Sequence, residues 1–251
     1  MSAQGSFLRA AQSGGRAALV TVVRGPLAGS RMLVAADGSR EGGLGDPSLQ
    51  DRGLAAAEEL MWAERSELRD ELFVDVVAPA PRVLIFGAVE YANHLSHLVR
   101  SIGWRPYVID PRAQFASAER FPDAVEVVVA WPEEVVARLG GIDPATYIAV
   151  LTHDPKIDDE VLTLALAADP PPAYIGAMGS KRAQAARRER LLAAGVDEDQ
   201  LQRISAPIGL DLGAVASEEV AVSILGELLA VRYGRAGGRL SARAAAAGSI
   251  H

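Results

Sequence analysis

Val83-Leu84-Ile85-Phe86-Gly87-Ala88-Val89-Glu90-Tyr91-Ala92 runs from four apolar residues through a glycine into a helix-length pattern. A strand, a glycine turn and a helix in that order form the phosphate turn of a dinucleotide-binding fold. In that turn the first glycine makes the bend, the second lets the backbone approach a pyrophosphate, and the third, often alanine, lets the helix pack on the strand. Gly87 and Ala92 hold the two fold-building positions, whereas Val89 stands where the cofactor-facing glycine belongs. Asp110 ends the next apolar run, 23 residues after Gly87, at the place of a ribose-accepting carboxylate. Before Pro111 it also suits a turn or helix cap.

Further along, apolar runs near Val83–Phe86, Tyr107–Ile109, Val125–Val129, Tyr147–Leu151 and Ala173–Ile175 alternate with helix-length patterns. That rhythm predicts an α/β fold: a Rossmann-like, mainly parallel sheet covered on both faces, with ligands at the carboxyl ends of its strands. A helix is expected over Lys181–Ala194, stopped by Gly195, then a short one over Glu198–Ile204 and a last one from a Ser217 cap to Tyr233. Upstream, Ala17–Val23 and Arg31–Ala35 read as paired strands, Ser48 as the cap of a helix through Met61, and Phe73–Val77 as another strand. The stiff Ala78-Pro79-Ala80-Pro81 marks a boundary. The expected organisation is a small N-terminal α+β domain over 1–78, a Rossmann-like domain over 79–234, and a disordered tail over 235–251, rich in Gly, Ala and Arg.

With 251 residues, about half of them apolar, the chain can bury a real core. No run reaches the roughly 18 apolar residues of a membrane span, and the first residues carry no apolar signal-peptide stretch. The sequence has no cysteine, which excludes disulfides, thiolate metal sites and thiol nucleophiles. Cytoplasm is the economical address. A net charge of −7 argues against nucleic acid as a bulk electrostatic partner.

Three loops carry site-like chemistry. Leu151-Thr152-His153-Asp154-Pro155-Lys156 leaves the fourth strand at its carboxyl end, and His153 with Asp154 suits ligand lining better than proton transfer. Tyr174-Ile175-Gly176-Ala177-Met178-Gly179-Ser180-Lys181-Arg182 passes from strand through glycines into a helix start, where backbone amides and cations attract anions. Gly176, Gly179, Ser180 and Lys181 therefore read as the better phosphate cradle, with Ser180 as helix cap or hydrogen-bond donor, or else as an ordinary capped helix start with solvated cations. Arg187, Arg188 and Arg190 read as a solvated helix face rather than a second anion site. Pro207-Ile208-Gly209-Leu210-Asp211-Leu212-Gly213-Ala214 is an apolar loop with one carboxylate, Asp211, which either caps local amides or points into the same crevice. His94 and His97, three apart, lack an evident third metal ligand.

Taken together, Ile85-Phe86-Gly87, Leu151-Thr152-His153-Asp154, Tyr174 to Ser180 and Pro207 to Gly213, followed by Glu218-Glu219-Val220-Ala221-Val222-Ser223-Ile224, closely resemble the XdhC/CoxI family of accessory factors for xanthine dehydrogenase and related molybdenum hydroxylases. Arg24-Gly25-Pro26 and Asp37-Gly38-Ser39 resemble that family's small β-containing domain. Two departures stand out. The family commonly shows Gly-Ala-Gly-His where this chain has Gly87-Ala88-Val89-Glu90, and many members show Gly-Gly-Cys where this chain has Gly42-Gly43-Leu44.

The resemblance implies a chaperone that binds molybdenum cofactor in a molybdopterin form, protects its sulfurated state and delivers it to an apo-hydroxylase. Its implied partner is the hydroxylase large subunit, with a cofactor sulfurase and a second copy of the chain as further candidates. On that reading Gly176, Gly179, Ser180 and Lys181 meet cofactor phosphate, and His153, Asp154 and Asp211 line the crevice. Two other readings stay open: an NAD(P)-dependent oxidoreductase using Gly87 and Asp110, and a nucleotide-sensing interaction protein.

Overall fold

The computed structural model describes residues 2–241. The chain divides into two compact units, Met1–Ala80 and Pro81–His251.

In the first unit α1 (Ala3–Ser13), β1 (Ala17–Val22), β2 (Arg31–Ala35), β3 (Arg40–Gly43), α2 (Pro47–Ala63), β4 (Glu67–Arg69) and β5 (Leu72–Val77) follow in order. The strands pair antiparallel as β3-β2-β1-β5-β4. Side chains alternate across a strand, so Ala18, Val20 and Val22 of β1 pack with Ala57, Leu60 and Met61 of α2, while Ala17 and Leu19 pack with Phe7 of α1. Two covered faces explain why β1, apart from Thr21, reads as a continuous apolar run. The cap of α2 is Asp46, not Ser48: its carboxylate accepts from the Leu49 N–H at 2.9 Å, and Pro47, with no N–H to satisfy, takes the first helical position. Gly42 and Gly43 belong to β3, and Leu44 beyond them is fully buried.

The second unit contains β6 (Arg82–Phe86), α3 (Glu90–Ser101), β7 (Arg105–Ile109), β8 (Glu126–Val128), α4 (Pro132–Arg138), β9 (Thr146–Val150), α5 (Pro155–Ala167), β10 (Tyr174–Ala177), α6 (Lys181–Ala193), α7 (Glu198–Leu201), β11 (Ile204–Ser205) and α8 (Ser217–Arg232). All six strands are parallel, ordered β11-β10-β9-β6-β7-β8. The expected Rossmann-like α/β sheet is present. The order runs outward from β6 through β7 to β8, then restarts on the other side of β6 with β9. Ligands in such sheets favour the crevice at that reversal, here between the turns after β6 and β9.

Val83 and Ile85 of β6 face α3 and α8, with Leu95, Val99, Ile224 and Leu228, whereas Leu84 and Phe86 face α4, α5 and α6. The segment expected as one helix over Glu198–Ile204 is instead the single turn α7 followed by the edge strand β11, because Ile204 and Ser205 pair with Ile175 and Gly176. The last helix is capped through Glu219, whose carboxylate accepts from the Val215 and Ala216 N–H groups; Ser217 is already helical. Within the expected tail, the Arg235 N–H donates to Ala230 O at 2.7 Å and Gly237 lies against Leu210; 242–251 fall outside the described residues. Among the described residues no helix is long and apolar enough to cross a membrane.

Candidate functional site

At the end of β6, Gly87 has φ +110°, and a Cβ there would lie 2.7 Å from Thr152 N and 3.0 Å from Thr152 Cβ. Gly87 thus lets the turns after β6 and β9 touch backbone to backbone. Val89 is the N-cap residue of α3 in extended conformation, makes no side-chain cap bond, and packs against the core shared by α3 and α8.

Asp110 is fully buried. Its carboxylate accepts from the Ala88 N–H at 3.0 Å, the Arg112 N–H at 3.0 Å, and Arg112 Nε and Nη2, both at 2.8 Å. Burial alone would raise this carboxyl, but the bonds from the Arg112 guanidinium and the Ala88 and Arg112 amides outweigh it and hold the group below the ordinary aspartate range. The residue placed by its spacing to receive a ribose is therefore engaged by its own neighbours, tying the turn after β6 to the end of β7.

Beyond β9, Thr152 is buried and its hydroxyl accepts from the Asp154 N–H at 2.9 Å. Asp154 caps α5, accepting from the Lys156 N–H at 3.0 Å. His153 is exposed on the rim between them.

The turn from β10 into α6 divides its two glycines by role. Gly176 is a buried strand residue, and a Cβ there would lie 2.6 Å from the Ile208 side chain and 2.5 Å from the Tyr174 hydroxyl. Its bareness admits protein, not ligand. Gly179, with φ +145°, is part-exposed and leads into Ser180, whose hydroxyl oxygen accepts from the Ala183 N–H at 3.3 Å. The amides ahead of Ala183 have no partner within the helix, as at every helix start. Lys181 and Arg182 are exposed there and form no ion pair among the described residues.

Arg187 corrects the expectation of a solvated cationic face. It is only 5 % exposed, and its Nη2 donates to Asp158 Oδ2 and to Met178 O, each at 2.8 Å. The guanidinium thus binds α5 to the turn before α6. Burial pushes the Asp158 carboxyl up, only partly offset by the bond from Arg187. The signal was available in the sequence: Arg187 and Leu191 stand four residues apart on one helix face, and Leu191 is core. Arg190 pairs with Asp159 and Arg188 with Glu198. Arg187 and Leu191 also border a cavity of about 180 Å³ with Gln184, Leu201, Ile204 and Ala206.

Asp211 is exposed in its loop. The loop itself is held by Ile208 N–H to Ala177 O at 3.1 Å, Leu210 N–H to Ser223 O at 3.1 Å, and Gly209 N–H to a Glu227 carboxylate oxygen at 2.6 Å. That same oxygen accepts from the Tyr174 hydroxyl. Burial first, then the Glu227 carboxylate, push the Tyr174 hydroxyl far above the ordinary tyrosine range, so it stays a donor. His94 and His97 diverge, His94 toward Glu218 and Glu90 and His97 Nδ1 to 3.0 Å from Asp123. Among the described residues no cluster of three or more His, Cys, Asp or Glu could hold a metal ion.

Three comparisons bear on this architecture. Residues 83–228 match the family described as the XdhC Rossmann domain, and residues 10–70 match the XdhC and CoxI family. A probable xanthine dehydrogenase subunit of Bacillus subtilis (strain 168) is 29 % identical over 161 residues, 64 % of this chain and 46 % of that protein. The molybdenum cofactor insertion chaperone PaoD of Escherichia coli (strain K12) is 27 % identical over 154 residues, 61 % of this chain and 41 % of its own length. The chain thus matches less than half the length of these curated relatives. A crystal structure of a xanthine dehydrogenase from Bacillus halodurans superposes with a TM-score of 0.60 at 23 % identity, covering 92 % of this chain and 63 % of that one, a likeness of fold. With a β6–α8 match spanning more than half of its length, and a second match in its first unit, the chain belongs to the XdhC and CoxI family.

Proposed function

We propose that the protein is an accessory factor that binds molybdenum cofactor in a molybdopterin form and delivers it to an apo molybdenum hydroxylase of the xanthine dehydrogenase or CO dehydrogenase type. The relative named a molybdenum cofactor insertion chaperone supports the cargo. The observation that carries the reading on this chain is the start of α6. Gly179 makes the turn at φ +145°, Ser180 caps the helix, and the open first-turn amides stand beside two exposed cations, Lys181 and Arg182. A phosphate, such as the one a pterin cofactor carries, suits that donor set because helix amides and the macrodipole favour an anion there. His153 and Asp154 lie on the rim of the neighbouring turn, and Asp211 stands exposed on the loop that runs beside β10. Gly87 and Gly176 serve this site by letting backbone and side chains close beneath it. On this reading the chain carries and hands over its cargo, and its partner is the hydroxylase large subunit.

Against a nicotinamide dinucleotide at Gly87 stand Val89, turned into the core, and Asp110, whose oxygens are taken by Arg112 and Ala88. Native mass spectrometry of protein purified from a molybdopterin-producing host tests the proposal. The expected result is a retained molybdopterin mass, with affinity in about the micromolar range or tighter, that Lys181→Ala weakens. Cofactor-free protein, with the wild type and Lys181→Ala indistinguishable on adding cofactor back, would overturn it.

A further inference from the structure

Two independent observations meet at Gly179. The first is the thirteen-residue helix α6, whose open amides and exposed Lys181 and Arg182 begin immediately after this glycine. The second is the Arg187 guanidinium beneath it. A guanidinium carries five N–H donors. Nη2 uses its two on Asp158 Oδ2 and Met178 O, whereas Nε and Nη1, closed off from bulk solvent, have no acceptor among the described residues. Asp158 Oδ1 likewise has no donor. Buried polar groups are almost always paired, so three open N–H groups on one buried cation call for a partner.

The bare α-carbon of Gly179 places that partner. A Cβ built there would lie 3.3 Å from Ala183 Cβ, 3.7 Å from Arg187 Nη2 and 3.8 Å from Nη1. A side chain at this position would add a layer over the guanidinium, which glycine keeps to backbone alone at the turn where the helix amides begin. Gln184 Nε2 donates to Gly179 O at 2.8 Å, fixing the peptide that follows this glycine.

We infer that Arg187 is the buried counter-charge of an oxyanion subsite opened by Gly179. A phosphate group sits over the start of α6, between the first-turn amides with Lys181 on one side and Arg187 Nη1 on the other. Donors converging from two directions suit a tetrahedral group with three or more oxygens better than a planar carboxylate. Asp158 Oδ1, the open acceptor of the buried pair, suits the P–OH of a monoprotonated phosphate. This subsite rests on reading the Gly179–Lys181 turn as a phosphate cradle, and it adds the charge that makes the cradle specific.

The test uses inorganic phosphate and pyrophosphate as probes on the full chain. Side-chain ¹⁵N spectra of the wild type should show the Arg187 Nε–H resonance shifting as either probe is added, with acetate leaving it in place. By calorimetry, Arg187→Lys, which keeps the charge facing Asp158 but lacks Nε and Nη1, should weaken pyrophosphate by at least about ten-fold, the loss of a charge-assisted bidentate contact. The exposed control Lys156→Ala should bind as the wild type does. An unmoved Arg187 resonance, or a folded Arg187→Lys protein binding pyrophosphate with wild-type affinity, would overturn the inference even if molybdopterin is retained. Arg187-dependent pyrophosphate binding in a protein that never retains molybdopterin would sink the cargo and leave the subsite standing.

Discussion

The Tyr174 hydroxyl and the Gly209 amide share one carboxylate oxygen of Glu227, so a residue on α8 ties β10 to the loop that follows β11. Glu227→Ala would strand both donors at a part-buried position. We expect a loss of about 1–3 kcal/mol per unmet buried group in chemical denaturation, together with faster hydrogen exchange at Gly209 and Leu210. Tyr174→Phe, which removes one donor and leaves the Gly209 bond, should cost less and spare the exchange rate at Gly209.

Gly176→Ala should destabilise the second unit without touching ligand. Its Cβ would arrive 2.6 Å from Ile208 and 2.5 Å from the Tyr174 hydroxyl, an overpacking that costs about 1–3 kcal/mol. Combining it with Ile208→Val, which trims the crowding side chain, should recover part of the lost thermal midpoint. An equal loss in single and double variants would place the strain elsewhere.

Asp110 predicts an acid-labile joint between the turn after β6 and the end of β7. Its folded carboxyl titrates below its ordinary value of 3.8, so the stability it contributes is complete above that value and is lost as pH falls through the lower folded one. Asp158 acts with the opposite sign: its raised carboxyl costs stability while ionised and relieves that cost on protonation. Thermal midpoints from pH 7 down to about 2 should therefore fall less steeply for Asp110→Asn than for the wild type, and more steeply for Asp158→Asn.

Val89→Gly alone should leave NAD(H) binding weak, because Asp110 stays clamped by Arg112. The change should also cost stability, since Val89 packs on the α3–α8 core. Adding Arg112→Ala frees the carboxylate for a ribose, and nicotinamide fluorescence should then report tighter binding. Tight binding by the unaltered protein would refute the demotion of this turn.

Leu44→Cys would install a thiol at the Gly-Gly-Cys position of many family members, yet Leu44 is fully buried against Gly53 and Met32. The thiol should react with a disulfide reagent only on unfolding, and the loss of side-chain volume should cost about 1–3 kcal/mol. Rapid labelling of the native variant would show the position to be open.

The parallel sheet was legible because its central strands, Val83–Phe86 and Tyr147–Val150, are buried on both faces and keep the apolar signature of such strands. Short elements were not. β11 exists because Ile204 and Ser205 find β10 in space, and no two-residue pattern announces that. At the proposed site, the anion-attracting chemistry assigned to Gly179–Lys181 is a reading of residue order, resting on the local physical meaning of a glycine before a capped helix start. Arg187 was hidden by composition: three arginines in four positions look like a wet face, and the four-residue step to Leu191 spoke against it. Asp110 shows the opposite limit, since its spacing suited a ribose and only the fold revealed Arg112 turned back upon it.

The close approach of Gly87 to Thr152 has a consequence for anyone comparing homologues. A substitution at Gly87 collides with backbone, so selection should hold that glycine as firmly as it holds a ligand-contacting residue. Gly176 is under the same pressure from Ile208 and Tyr174. Ranked by invariance alone, these two positions would stand beside Gly179 and suggest a binding surface that reaches back to the β6 turn. Weighted by what a methyl group would strike, the same ranking separates Gly87 and Gly176, where it would meet protein at 2.7 and 2.5 Å, from Gly179, where the nearest atom, Ala183 Cβ, stands 3.3 Å away and the φ of +145° itself favours glycine.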